Sequence, residues 1–134
     1  CTGGLVAARL TDVAGASDVF LGGVVAYANE VKSCALGVPE AVLATHGAVS
    51  AETAAAMARG VRERLGADVG IAVTGVAGPG GGTPEKPVGL VFFHASCPGG
   101  ELASRFELPG AREWIRTRGA VAALHLCRTL LAQS

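Results

Sequence analysis

A serine hydroxyl attacks a carbonyl carbon only when a base takes its proton, and the residues best spaced to supply such a pair are Ser17, Tyr27 and Lys32. Ser17 falls in a polar, glycine-containing loop, Tyr27 near the end of an apolar run, and Lys32 in the first turns of a short helical segment. Lysine serves as the base where burial and positive neighbours lower its pKa. Ser-Lys is a variant of triad logic in which a tyrosine can relay the proton or orient the amine. The same residues also fit blander roles: a turn serine, a core tyrosine with a satisfied hydroxyl, a solvated lysine. Spacing alone does not choose.

The second stretch with chemical content runs from Thr74 to Gly89, TGVAGPGGGTPEKPVG. Its glycines let backbone N–H groups approach a ligand closely and adopt positive φ, which suits a loop that holds an anion. A flexible hairpin would carry the same glycines. Pro79, Pro84 and Pro87 argue against that, because they stiffen the loop, and Thr74, Glu85 and Lys86 bracket it with polar groups. The Gly78–Gly82 backbone, Thr83, Lys86 and, further on, Arg112 are the candidate donors to a phosphate. Arg112 equally suits the exposed start of a surface helix.

The three histidines have no metal-ligand spacing, and His125, between Leu124 and Leu126, reads as a core or interface residue. Cys1, Cys34, Cys97 and Cys127 form no C-x-x-C pair and read as buried free thiols in a reducing cytoplasm. Eleven basic and eleven acidic residues give zero net charge, so there is no electrostatic footprint for nucleic acid, and half the residues are apolar, which excludes disorder. The apolar runs are too short to cross a bilayer.

These residues need elements to position them. The pattern predicts a helix over 4–11 with Thr2 as N-cap, a loop over 12–18, a strand over 20–28 interrupted by Gly22-Gly23, and short helices over 29–36 and 39–45. Ser50 is a strong N-cap for a helix over 51–65, which Gly66 ends. Nearly continuous apolar runs over 68–75 and 88–96 predict strands covered on both faces, followed by an alternating strand over 102–108 and an amphipathic helix over 113–132. The class is α/β, a three-layer α/β/α sandwich with helices on both sides of a mixed sheet, in one domain over 1–134. Because the chain opens at Cys1-Thr2-Gly3-Gly4 with no strand before its first helix, an N-terminal helix and strand are expected to precede it.

Four segments, Cys1–Gly4, Phe20–Lys32, His46–Ser50 and Thr74–Gly89, together resemble the CinA C-terminal domain family, the bacterial nicotinamide-nucleotide amidohydrolases or NMN deamidases. The likeness runs in order from the first residue past Arg112. In that family the first motif reads Glu-Ser-Cys-Thr-Gly-Gly at a strand end, in keeping with a preceding segment.

The resemblance implies hydrolysis of the carboxamide of nicotinamide mononucleotide to nicotinate mononucleotide and ammonia, with no metal or cofactor. The family's nucleophile lies in a Gly-Ser-Ser stretch that aligns with Gly15-Ala16-Ser17, so Ser17 takes that role; Ala16 departs from the pattern at the serine before it. Tyr27 and Lys32 align with the family's tyrosine and lysine. Substrate contacts fall to Thr2, Gly3, Thr74, Gly75, Gly78, Gly80, Gly81, Thr83, Lys86 and Arg112. The oxyanion donors stay open between Gly22-Gly23 and the glycine loop. The family also implies a homodimer and, in some members, fusion to an N-terminal domain resembling molybdopterin-binding and pyrophosphatase proteins. The alternative is a non-catalytic module that binds a nucleotide or dimerises.

Overall fold

Ser50 caps helix α4 (Ala51–Leu65) as its residue type dictates: its Oγ accepts from the Thr53 amide at 3.1 Å, and Gly66 ends the helix in the left-handed region at φ 62°. The computed structural model describes residues 1–134. Before it in the chain come α1 (Leu5–Thr11), a 3₁₀ turn (Ala16–Asp18), α2 (Asn29–Leu36) and α3 (Glu40–His46). After it come β1 (Gly70–Gly75), β2 (Leu90–Cys97), β3 (Gly100–Glu107) and α5 (Arg112–Gln133).

The three strands form one sheet in the order β1-β2-β3, both pairings antiparallel, with Val73 opposite Phe93 and Phe93 opposite Ser104. Alternation along the strands sends side chains to two helical layers. On one face Ala72 packs with Leu36 and Val38 next to α2 and with Met57 and Ala58 of α4. On the other, Val91 and Phe93 pack with Ile115 and Ala123 of α5, and Val6 of α1 joins them. Phe93 and Ile115 are almost wholly buried, each worth roughly 2–3 kcal/mol of transfer free energy. The α/β sandwich is therefore as the apolar pattern predicts.

Two expectations are corrected. The sheet is not mixed, because residues 20–28 do not join it and form no helix or strand. The carbonyls of Ala26 and Tyr27, which a ladder would use, instead accept from Lys32 Nζ at 2.8 and 3.1 Å. Thr2 does not cap α1 with its side chain either. That position is Gly4 at φ 91°, and Thr2 contributes its carbonyl, which accepts from the Leu5 amide.

The polar groups among the layers are satisfied; no buried side-chain nitrogen or oxygen lacks a partner. The densest network staples α4 to the β2–β3 hairpin. Arg59 of α4 donates to both carboxylate oxygens of Glu101, which also accepts from Ser96 and lies 3.1 Å from His94 Nε2, while Arg62 donates to Ser96. All four cysteines are free, but only Cys97 is buried; Cys34 is exposed and Cys1 and Cys127 are half-buried. His125 lies on the exposed side of α5, so it is not a core residue. No helix is long and apolar enough to cross a membrane.

Candidate functional site

Helix α2 buries its own lysine. Lys32, in its second turn, is only 6 % exposed, with Nζ held by the carbonyls of Ala26 and Tyr27. Burial lowers its pKa from the ordinary lysine value. A neutral amine has two N–H donors and one lone pair. With two positions of the amine on carbonyls, one is left over, a third N–H in the charged form and a lone pair in the neutral form, and in the neutral form that lone pair can accept a proton.

Tyr27 is tied at both ends. Its carbonyl accepts from Lys32, and its phenol oxygen accepts from Arg112 Nη2 at 3.3 Å. That hydrogen bond lowers the phenol pKa, with a further contribution from the charge of Arg116. The ring itself is 68 % exposed, so it is a surface residue and not the core tyrosine of the blander reading.

Arg112 opens α5, and its other terminal nitrogen, Nη1, donates to the Gly78 carbonyl at 2.8 Å. Gly78 takes φ 75°, and a Cβ there would come within 2.5 Å of Val88 Cγ1, so only glycine turns the loop towards the arginine. Gly75 ends β1 just before that turn, and Gly80 and Gly81 lie exposed at the loop tip.

One turn further along α5 stands a residue that motif reading passed over. Arg116 donates from Nη2 to the Thr2 carbonyl at 3.3 Å, and a Cβ on Gly3 would lie 3.0 Å from the same nitrogen. Residues four apart share a helix face, so the sequence signal was the spacing of Arg112 and Arg116. The ion pairs of the protein are His46–Glu52, Arg59–Glu101, His94–Glu101 and Arg105–Glu107, and none neutralises Lys32, Arg112 or Arg116. Arg112 and Arg116 therefore bring uncompensated positive charge to the site.

Other candidate residues turn out to hold the frame. Thr74 is buried at the end of β1 and donates to the Ala48 carbonyl at 2.7 Å. Lys86 Nζ donates to the His46 carbonyl at 2.6 Å, and Thr83 Oγ1 accepts from the Lys86 amide at 3.0 Å. The Gly47 carbonyl accepts from Ser50 and Thr53. Three successive carbonyls from the last residue of α3 onward are thus each claimed by a side chain, which fastens the glycine loop and β1 to the start of α4.

Ser17 stands apart. It is exposed on the 3₁₀ turn that follows Gly15, and the hydrogen bonds of Lys32 Nζ go to Ala26 and Tyr27, not to its hydroxyl. An open concavity of about 500 Å³ between α2 and α3, lined by Asn29, Glu30, Ser33, Cys34, Glu40 and Leu43, contains none of the site residues and carries two acids, so it does not suit an anion.

A three-layer α/β domain that gathers a buried lysine, an arginine-bound tyrosine and a glycine loop defines the class. Residues 1–131 match the CinA C-terminal domain, and the chain belongs to that family. It is 52% identical over 133 residues to a CinA-like protein of Desulfotalea psychrophila, covering 99% of this chain and 32% of that protein. The chain thus spans about a third of the length of the curated relatives it matches. Among solved structures, it superposes on a competence/damage-inducible protein from Agrobacterium tumefaciens with TM-score 0.90 at 42% identity, covering 98% of this chain and 79% of that one. A CinA superfamily protein from Klebsiella pneumoniae gives TM-score 0.95 at 34% identity, covering 100% and 84%.

Proposed function

We propose that this domain hydrolyses the carboxamide of nicotinamide mononucleotide, with Ser17 as nucleophile, Lys32 as base and Tyr27 assisting the leaving group. The observation that carries the reading is the state of Lys32: buried, lowered in pKa, with two carbonyls holding its donors. A lysine that served only as a surface charge would lie in water.

The steps balance with these residues alone. Ser17 Oγ bonds to the carboxamide carbon as its proton passes to Lys32 Nζ, and the π-bond electrons move onto the carbonyl oxygen. The pyridinium ring withdraws electrons from that carbon and eases the attack. Collapse breaks the C–N bond as the amide nitrogen takes a proton, either from Lys32 directly or from Tyr27, which Lys32 then reprotonates, so that ammonia leaves, Lys32 is neutral again and an ester remains on Ser17. Water then bonds to the ester carbon as Lys32 takes one of its protons, the bond to Ser17 Oγ breaks with that proton returned to the serine, and the product acid leaves and ionises. Tyr27 suits proton donation because Arg112 donates to its oxygen, which leaves the phenol hydrogen free and more acidic.

For this sequence to run, Ser17 must meet Lys32 when substrate is bound; catalytic hydrogen bonds are often long or unformed without it. The separation of the two also favours a second reading, a nucleotide-binding module without turnover. Ammonia release from nicotinamide mononucleotide by the purified chain decides between them: turnover abolished by Lys32→Ala supports the enzyme, and binding with no ammonia supports the module.

A further inference from the structure

We propose that Arg116 is the residue that reads the phosphate of a pyridine mononucleotide, while Arg112 positions Tyr27 and the glycine loop. The inference rests on the mononucleotide reading of the site above, and it assigns a role to a residue that none of the site's motifs contains.

The two arginines sit one helical turn apart on α5, yet their donors are committed differently. Arg112 uses both terminal nitrogens, one on the Gly78 carbonyl and one on the Tyr27 phenol. A guanidinium recognises a phosphate through two parallel N–H groups on one edge, and Arg112 has already turned such an edge to protein atoms. Arg116 makes one contact, from Nη2 at 3.3 Å to the Thr2 carbonyl, so one two-nitrogen edge of its guanidinium, with the second N–H of Nη2, remains for an incoming anion.

Competing cations are excluded by the same accounting. Lys86 belongs to the glycine loop but is bonded to the His46 carbonyl, and Lys32 has its donors on Ala26 and Tyr27. No carboxylate pairs with Arg112 or Arg116, so their charge is complemented only by what binds. Arg116 is half-buried, which strengthens a charge-assisted hydrogen bond relative to one in open water. Its position beside Thr2 and Gly3 places the phosphate over the turn that precedes α1. The loop backbone then serves Arg112 and the pyridine end of the substrate.

The test compares nicotinamide mononucleotide with nicotinamide riboside, which differs only by the phosphate. For wild type, Arg116→Ala and Arg116→Lys, kcat/KM is measured for both substrates, and dissociation constants for both are measured by calorimetry together with inorganic phosphate as competitor. Arg116→Ala should weaken the mononucleotide on the order of 10- to 100-fold through KM and leave the riboside within about twofold. Inorganic phosphate should compete in wild type and cease to compete in the variant. Arg116→Lys should keep part of the preference, as a point charge without the fork.

Equal losses for both substrates would overturn the inference, since they mean that Arg116 merely holds Thr2 in place. A wild type with no preference for the mononucleotide would also overturn it, even if ammonia is released and the proposed reaction stands. Preference in binding that Arg116→Ala abolishes upholds the inference even where no ammonia is released and the proposed reaction fails.

Discussion

Lys32 and Ser17 carry the sharpest consequences, because each has a distinct task in the proposed reaction. Ser17→Ala and Lys32→Ala should each lower turnover on the order of 10³-fold or more with the far-ultraviolet circular dichroism unchanged. The double variant should be little worse than either single, since nucleophile and base act as one unit. A Ser17→Ala protein that keeps a tenth of wild-type turnover would remove Ser17 from the nucleophile's place. Arg112 belongs to the same group on its contacts with Tyr27 Oη and Gly78 O. Arg112→Ala should therefore lower kcat for mononucleotide and riboside alike and raise the phenol pKa of Tyr27, seen as an alkaline shift of its ultraviolet titration. Loss confined to the mononucleotide would return Arg112 to the phosphate.

At the scale of elements, α2 and α4 position Lys32 through one close crossing. A Cβ on Gly60 of α4 would collide with the Leu36 carbonyl at the end of α2, so the two backbones touch there. Gly60→Ala should push α2 away and lower stability by about 1–3 kcal/mol, and turnover should fall with it because Lys32 moves too. Urea unfolding and ammonia release on one preparation check both, and a stable, fully active variant would show that the crossing does not set the site. Both helices were legible in the sequence, α4 from Ser50 to Gly66 and α2 over its whole length, because caps and periodicity are local signals. Residues 20–28 were not, since β-branched content marks a segment able to form a strand and says nothing of whether a partner edge is offered. Here Lys32 takes two of its carbonyls, a contact between residues five and six apart that no periodicity encodes. Arg116 was missed for a related reason: it sits in no motif, and its value depends on which donors of its neighbours are already used.

The whole molecule's stability should follow pH through two groups, Glu101 and Lys32. Arg59 first, then Ser96 and His94, hold the Glu101 carboxyl down to about 2. Its folded value lies below the unfolded value of about 4.3, so its contribution is fully present above that value and disappears as pH falls through the folded value. The side chain is 30% exposed, and solvent screening reduces the contribution to about 1 kcal/mol. Glu101→Gln should thus be less stable than wild type by about that amount at pH 6 and level with it near pH 2. Lys32 acts in the other direction. Burial lowers its pKa below the unfolded value of about 10.4, so protonation opposes folding. The cost is absent above the unfolded value, grows as pH falls towards the folded value, and stays constant beneath it. Wild type should therefore gain stability relative to Lys32→Met as pH rises within that window, whatever the offset left by the two unpaired carbonyls in the variant. Turnover should rise over the lower part of the same window, since the amine must be neutral to accept the serine proton. Urea midpoints of both proteins at successive pH values, set beside the pH–rate profile of wild type, give the measurement. A stability difference independent of pH would mean that Lys32 titrates as in the unfolded chain, and the base would have to be sought elsewhere.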